Sequence, residues 1–238
     1  MVTPGPFATR RNVEDPGTTH FVPQAVVFDL DGVLLDSEQL WNQSKREVVR
    51  EAGGHWREDA PTAMIGMSSP EWSAYMRDEL GVPLTADEIN RAVVDRMERH
   101  YREHLPLLPG AVDVVRRLHR SWPLALASSA IREIIDLVLD VAGLAGEFSA
   151  TVSSEEVERG KPAPDVYLEA ARRLGVAADR CVAIEDSSNG LRSAAAAGMA
   201  VIAYPNEHYP PAEDALALAA ARVDSLDEIT PELVERLR

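Results

Sequence analysis

Short apolar runs alternate with amphipathic stretches along most of this chain. Ala25 to Phe28 is brief, β-branched and aromatic, the pattern of a buried strand. Runs of the same kind recur at Pro123 to Ala127, Phe148 to Val152, Cys181 to Ile184 and Met199 to Ala203. Helical faces lie between them. Val112, Val115 and Leu118 form one, and Ile131 to Val141, closed by Gly143, another. Tyr167, Ala170, Ala171 and Leu174 follow Pro164 and end at Gly175; the small-residue run Ser188 to Ala197 ends at Gly198. Strands alternating with helices predict a parallel sheet covered on both faces. Right-handed crossovers then place the strand ends on one edge.

Between Ser37 and about Leu105 the β-branched runs disappear and helix formers take over. Leu40, Trp41, Ser44, Val48 and Val49 lie close to one helical face, which should end at Gly53-Gly54. Ser69-Pro70 reads as an N-cap followed by proline at the first helical position, with Trp72, Tyr75, Met76 and Leu80 at helical spacing behind it. Thr85 to Glu88 has the form of a capping box, and Ile89, Val93 and Met97 continue one face until the chain nears Pro106. Ala215 to Ala221 reads as a low-complexity helix, and Thr230-Pro231 starts a short terminal one. The expected fold is therefore α/β: a Rossmann-like parallel sheet core with a helical bundle inserted after its first strand. The core should comprise residues 22–37 and 106–238, and the insertion residues 38–105. Residues 1–21, with several prolines and glycines and no periodicity, read as an irregular tail.

Composition narrows the partners. Among 238 residues the formal net charge is −15, which disfavours nucleic-acid backbones and anionic membranes. It also repels an anionic substrate at long range, so any phosphate site must be locally positive. The single cysteine, Cys181, excludes an internal disulfide and reads as a small buried hydrophobe. No apolar run is long enough to span a membrane, and the N-terminus lacks the apolar region of a signal peptide. A cytoplasmic location follows, with a monomer or weak homodimer expected. His100 and His104 stand at i, i+4 but have no third ligand for zinc.

Candidate chemistry gathers at the predicted strand ends. Asp29 closes the first strand; Asp31 and Gly32 follow. Two carboxylates entering one crevice repel each other, and a cation such as Mg²⁺ relieves that repulsion. Ser128 and Ser129 end the second strand, Lys161 lies after the third, and Glu185 and Asp186 end the fourth. Singly, each has a plain structural reading as a turn, an N-cap or a solvated loop residue. Together, along one sheet edge, they read as a site of phosphoryl transfer.

The segment Val26-Val27-Phe28-Asp29-Leu30-Asp31-Gly32, with the serine, lysine and acidic motifs in order behind it, resembles the haloacid dehalogenase-like phosphohydrolases over about Gln24 to Asp227. Asp36-Ser37-Glu38, with Trp41 beyond, is similar to their sugar-phosphate phosphatase branch. The resemblance implies that Asp29 is the nucleophile and Asp31 the general acid and base. It implies that Ser128, Ser129 and Lys161 hold the phosphoryl group. Asp29, Asp31 (through its carbonyl), Glu185 and Asp186 would hold Mg²⁺, with Asn189 beside the metal loop. The insertion would be a mobile cap that sets substrate choice, with Trp41 and the loop Gly66, Met67, Ser68 and Ser69 as specificity candidates. The expected activity is Mg²⁺-dependent hydrolysis of a small phosphorylated metabolite, a sugar or polyol phosphate, through an aspartyl-phosphate. A β-phosphoglucomutase-type mutase is the alternative, although that branch carries histidine at the position of Trp41 and arginine at that of Ser69. The dehalogenase branch lacks the second aspartate. A non-catalytic phospholigand-binding module is an alternative of another class.

Overall fold

The computed structural model describes residues 21–64, 67–206 and 209–237. The expected tail at 1–21 thus lies, except for Phe21, outside the described residues. In chain order the elements are β1 (Ala25–Phe28), α1 (Glu38–Glu51), α2 (Ala60–Met64), α3 (Ser69–Asp78), α4 (Ala86–Glu103), α5 (Ala111–His119), β2 (Leu124–Ser128), α6 (Arg132–Val141) and β3 (Ala150–Ser153). There follow α7 (Asp165–Leu174), β4 (Cys181–Glu185), α8 (Ser188–Ala196), β5 (Ala200–Ala203), α9 (Glu213–Leu216), β6 (Ala221–Arg222) and α10 (Pro231–Arg236).

The strands form one parallel sheet in the order β3-β2-β1-β4-β5-β6. The chain winds from β1 outward through β2 and β3, then crosses back to begin again at β4. The crevice between the carboxyl ends of β1 and its neighbours is thus the switch point at which doubly wound sheets take ligands. Strand periodicity sorts side chains between two cores. Val26, Phe28, Leu124, Leu126, Val182 and Ile184 enter one; Ala25, Val27, Ala125, Ala127, Cys181 and Ala183 enter the other. The second face is carpeted with small residues, beneath α7 and α8. Cys181 is buried there, and burial raises its thiol pKa to about 11, so it packs as a hydrophobe.

The large-residue core continues through Leu30, Val33, Leu34 and Leu35 into the inserted helices, where Val48, Met76, Val93 and Met97 join it. Within the insertion α4 packs against α1 and α3, and it also meets α6 of the sheet layer. Chain entry and exit are tied together: Asp36 N–H donates to Pro106 O at 2.9 Å and Leu108 N–H to Leu34 O at 3.0 Å.

Two local expectations are corrected. The N-cap of α3 is Ser68, so Pro70 falls one position later than expected. Glu71 decides it, reaching back to accept from Ser68 N–H at 2.7 Å and from its hydroxyl at 2.6 Å, which fixes the S-x-x-E register. The alanine-rich run 215–221 is not one helix either. Only Glu213–Leu216 is helical, and Ala221–Arg222 adds a sixth strand beside β5. Backbone bonds from Ala220 N–H to Val201 O (2.8 Å) and Val223 N–H to Ala203 O (2.9 Å) outweigh the helix propensity of alanine.

Candidate active site

The turn after β1 aims two carboxylates into the crevice. Gly32 sits at φ +85°, where L side chains are strained, and its N–H donates to Leu35 O at 2.7 Å. A Cβ at Gly32 would stand 1.9 Å from Asp186 Oδ2. The glycine is therefore needed twice, for the turn and for the space that the opposing carboxylate fills. Gly190 does the same for Glu185: a Cβ there would lie 1.8 Å from Glu185 Oε1.

Lys161, from the loop between β3 and α7, is the pivot. Its Nζ lies 2.6 Å from Asp29 Oδ1 and 2.6 Å from Glu185 Oε1, and 5.0 Å from the ring centroid of Tyr167. Glu185 is fully buried and saturated. Oε1 accepts from Lys161 and from Tyr167 O–H at 2.8 Å, while Oε2 accepts from Asp186 N–H, Ser187 N–H and the Ser187 hydroxyl. Burial alone would raise its pKa, but Lys161 and the hydrogen bonds hold it below the usual carboxylate range. Lys161 is held above the usual lysine range, because Asp29 and Glu185 outweigh its burial.

One oxygen each of Asp29, Glu185 and Asp186 lies within 4.8 Å of the others. With Asp31 close by, the acids outnumber the one lysine. Burial, reinforced by Glu185 and Asp31 and opposed by Lys161, pushes Asp29 from 3.8 up to about 8. Burial first, and then Glu185 and Asp29, raise Asp186. An oxygen cluster with excess negative charge fits a hard divalent cation, which would remove the repulsion. The saturation of Glu185 makes Asp29 and Asp186 the more open donors. Asp31 is raised by burial, opposed by Ser37, whose hydroxyl donates to Asp31 Oδ1, and by Trp41.

The cleft has a volume of about 580 Å³. Asp29, Asp31, Ser129, Lys161, Asp186 and Asn189 line it from the sheet edge. Ser128 lies beneath, fully buried, with its Oγ accepting Ala130 N–H at 3.0 Å; its own proton stays available. Of the insertion candidates, Trp41, Met67 and Ser69 line the cleft. Ser68 does not; it is occupied as the cap of α3. Gly66 lies outside the described residues. The sequence reading missed Lys45, Glu38 and Trp72, which line the cleft from α1 and α3. Their signal was spacing: Glu38, Trp41 and Lys45 recur at i, i+3 and i+7 on one helical face.

An acidic cradle and a buried lysine at the carboxyl edge of a doubly wound sheet define an α/β enzyme site for an anionic ligand. The chain belongs to the haloacid dehalogenase-like hydrolases, whose family model matches residues 23–198. It is 34% identical over 214 residues to hexitol phosphatase B of Escherichia coli K12, across 87% of this chain and 94% of that protein. It is 34% identical over 176 residues to the fructose-1-phosphate phosphatase YqaB of the same organism, across 73% and 92%. Its fold is similar to that of CbbY from Rhodobacter sphaeroides, solved in complex with phosphate: TM-score 0.79, 29% identity, 87% of this chain and 96% of that one.

Proposed function

We propose that the protein is a Mg²⁺-dependent phosphatase that hydrolyses the phosphate ester of a sugar or polyol through an aspartyl-phosphate on Asp29. One observation carries this reading: Asp29 is held at a strand end by Lys161, inside an acidic cluster that could hold a cation. The names of the relatives support the substrate class.

Asp29 attacks phosphorus and the ester P–O bond breaks. Asp31 gives its proton to the leaving alkoxide, a role suited to a carboxyl whose pKa is raised. Water, losing its proton to Asp31, then attacks the phosphorus of the acyl phosphate, frees inorganic phosphate and restores Asp29. Lys161, the Ser128 hydroxyl and Ser129 hold the phosphoryl oxygens, and Asn189 borders them. Asp29, Asp186, the Asp31 carbonyl and Glu185 would hold Mg²⁺, which supplies charge neutralisation for an anion attacking an anion. Residues 38–105 act as a cap, supported by the paired entry and exit at Leu34–Asp36 and Pro106–Leu108. Trp41 in the cleft favours hydrolysis over the mutase alternative, because an indole cannot carry the proton that a histidine would. Among the described residues no helix is long and apolar enough to cross a membrane, and we place the enzyme in the cytoplasm as a monomer or weak homodimer.

The test is phosphate release from a panel of phosphorylated metabolites and p-nitrophenyl phosphate, with Mg²⁺ or chelator. Turnover that needs Mg²⁺ and vanishes in Asp29→Asn is expected. Interconversion of hexose phosphates with little phosphate released would make it a mutase. Mg²⁺-dependent binding without turnover would make it a binding module.

A further inference from the structure

The insertion delivers to the cleft a cation that the chemistry at the sheet edge does not use. Lys45 is only 6% exposed, yet its ammonium makes no hydrogen bond or ion pair with any described residue. Its company is aromatic and acidic: Nζ lies 5.9 Å from the ring centroid of Trp41 and 5.2 Å from that of Trp72, and the charges of Glu38 and Asp31 act on it without an ion-pair contact. Such contacts return less than it costs to strip a charged group of water. An ammonium has three donors and no acceptor, and Lys45 lines the cleft, so a ligand there can offer it acceptors. Glu38, two helical turns earlier on the same face, supplies the opposite chemistry. Its Oε1 is fixed by Asn42 Nδ2 at 3.1 Å, and it faces the same cleft.

We propose that Lys45 and Glu38 form a donor–acceptor pair that reads neighbouring hydroxyls of the leaving group. The site would thereby select monophosphates of neutral, polyhydroxylated metabolites against esters that carry a second anionic group. This rests on the phosphatase reading and sharpens its substrate class. A hydroxyl both donates and accepts, so two adjacent ones satisfy the lysine and the glutamate together. A carboxylate or second phosphate would satisfy Lys45 but would lie against Glu38, with Asp31 across the cleft, and like charges brought together there are costly. Trp41 and Trp72, with centroids 6.4 Å apart and planes at 57°, give the apolar wall on which the C–H faces of a sugar or polyol pack.

The test compares kcat/KM for a hexitol monophosphate, phosphoglycolate, a ketose bisphosphate and p-nitrophenyl phosphate. Wild type, Lys45→Met, Lys45→Gln and Glu38→Gln are assayed, with thermal denaturation to confirm that each folds. Wild type should prefer the hexitol ester. Lys45→Met should lose about 10- to 100-fold on it, mainly through KM, the range of a hydrogen bond to a charged group. That loss should be at least about tenfold larger than the loss on p-nitrophenyl phosphate, which has no hydroxyls to read. Lys45→Gln, which keeps N–H donors without charge, should retain more than Lys45→Met. Glu38→Gln should also weaken the hexitol ester. A wild-type preference for the bisphosphate or phosphoglycolate would overturn the proposal, as would equal losses on all four substrates or a Glu38→Gln variant intact on the hexitol ester. No turnover of any ester, p-nitrophenyl phosphate included, would overturn the phosphatase reading and this proposal with it.

Discussion

The sheet edge and the inserted helices line one cleft, yet they are finished to different degrees. At the edge the protein pairs its lysine and one of its carboxylates fully. Lys161 has two carboxylate partners, and every oxygen of Glu185 is bonded. Across the cleft, Lys45 makes no hydrogen bond or ion pair with a described residue; it packs against Trp41 and Trp72, with the charges of Glu38 and Asp31 acting on it. On the proposed function the edge is organised in advance for one reaction, whereas the insertion presents the Lys45 ammonium to the ligand. The proposed function thus assigns chemistry and selectivity to separate segments of chain.

The largest effect expected from breaking this division is at Lys161. Lys161→Ala should lower kcat/KM by about 10²–10³-fold on every ester, because it removes a fixed charge from the transferring group. It should also destabilise the metal-free protein by about 3–5 kcal/mol, since two buried carboxylates lose their cation, and this is read by denaturant titration. A substrate-dependent loss would place Lys161 with the selectivity residues instead. Next comes Gly32→Ala. Its Cβ would collide with Asp186 Oδ2, so Mg²⁺ affinity measured by calorimetry should fall by about 10- to 100-fold, the scale for disturbing a metal's support. Unchanged affinity would remove Asp186 from the metal site.

A smaller effect is the pH dependence of the metal-free fold. Asp29 is pushed up to about 8 from 3.8, and Asp31 and Asp186 are also raised. The folded protein therefore holds more protons than the unfolded chain between these values. That stabilisation is complete below about pH 4 and is lost as pH rises through about 8. In chelator, Tm should fall from pH 5 to pH 8.5, and Mg²⁺ should flatten the decline because it binds the deprotonated cluster. A Tm that rises over that window in chelator would contradict the arrangement of charges. The smallest effect is Ser68→Ala, which should cost about 1 kcal/mol as a lost N-cap and leave the order of substrate preference unchanged.

The two regions also differed in how much of them could be read from sequence. Asp29, Asp31 and Asp186 were legible because they follow strands with clear apolar runs, and Lys161 because it stands in the loop between β3 and α7 on the edge where the topology gathers strand ends. The interior of the insertion was harder. Lys45 was passed over because a lysine on an amphipathic helix ordinarily turns to solvent; only its register with Glu38 and Trp41 argued otherwise. Ser68 was displaced by its neighbour because Ser69-Pro70 carries a strong local signal, and the deciding contact comes from Glu71. Strand β6 hid in an alanine-rich run, where pairing with β5, not propensity, set the structure. The small-residue need at Gly32 arises from Asp186, far along the chain, and that at Gly190 from the Glu185 side chain folded back over the start of α8; neither shows in a local pattern.

The central claim is that Asp29 carries the phosphoryl group. Quenching the enzyme during turnover and reducing with borohydride converts an aspartyl-phosphate to homoserine, which mass spectrometry can place on the chain. Homoserine at position 29, formed only with Mg²⁺ and substrate present, is the predicted result. Turnover at full rate with position 29 unmodified, or with the label on another residue, would contradict it.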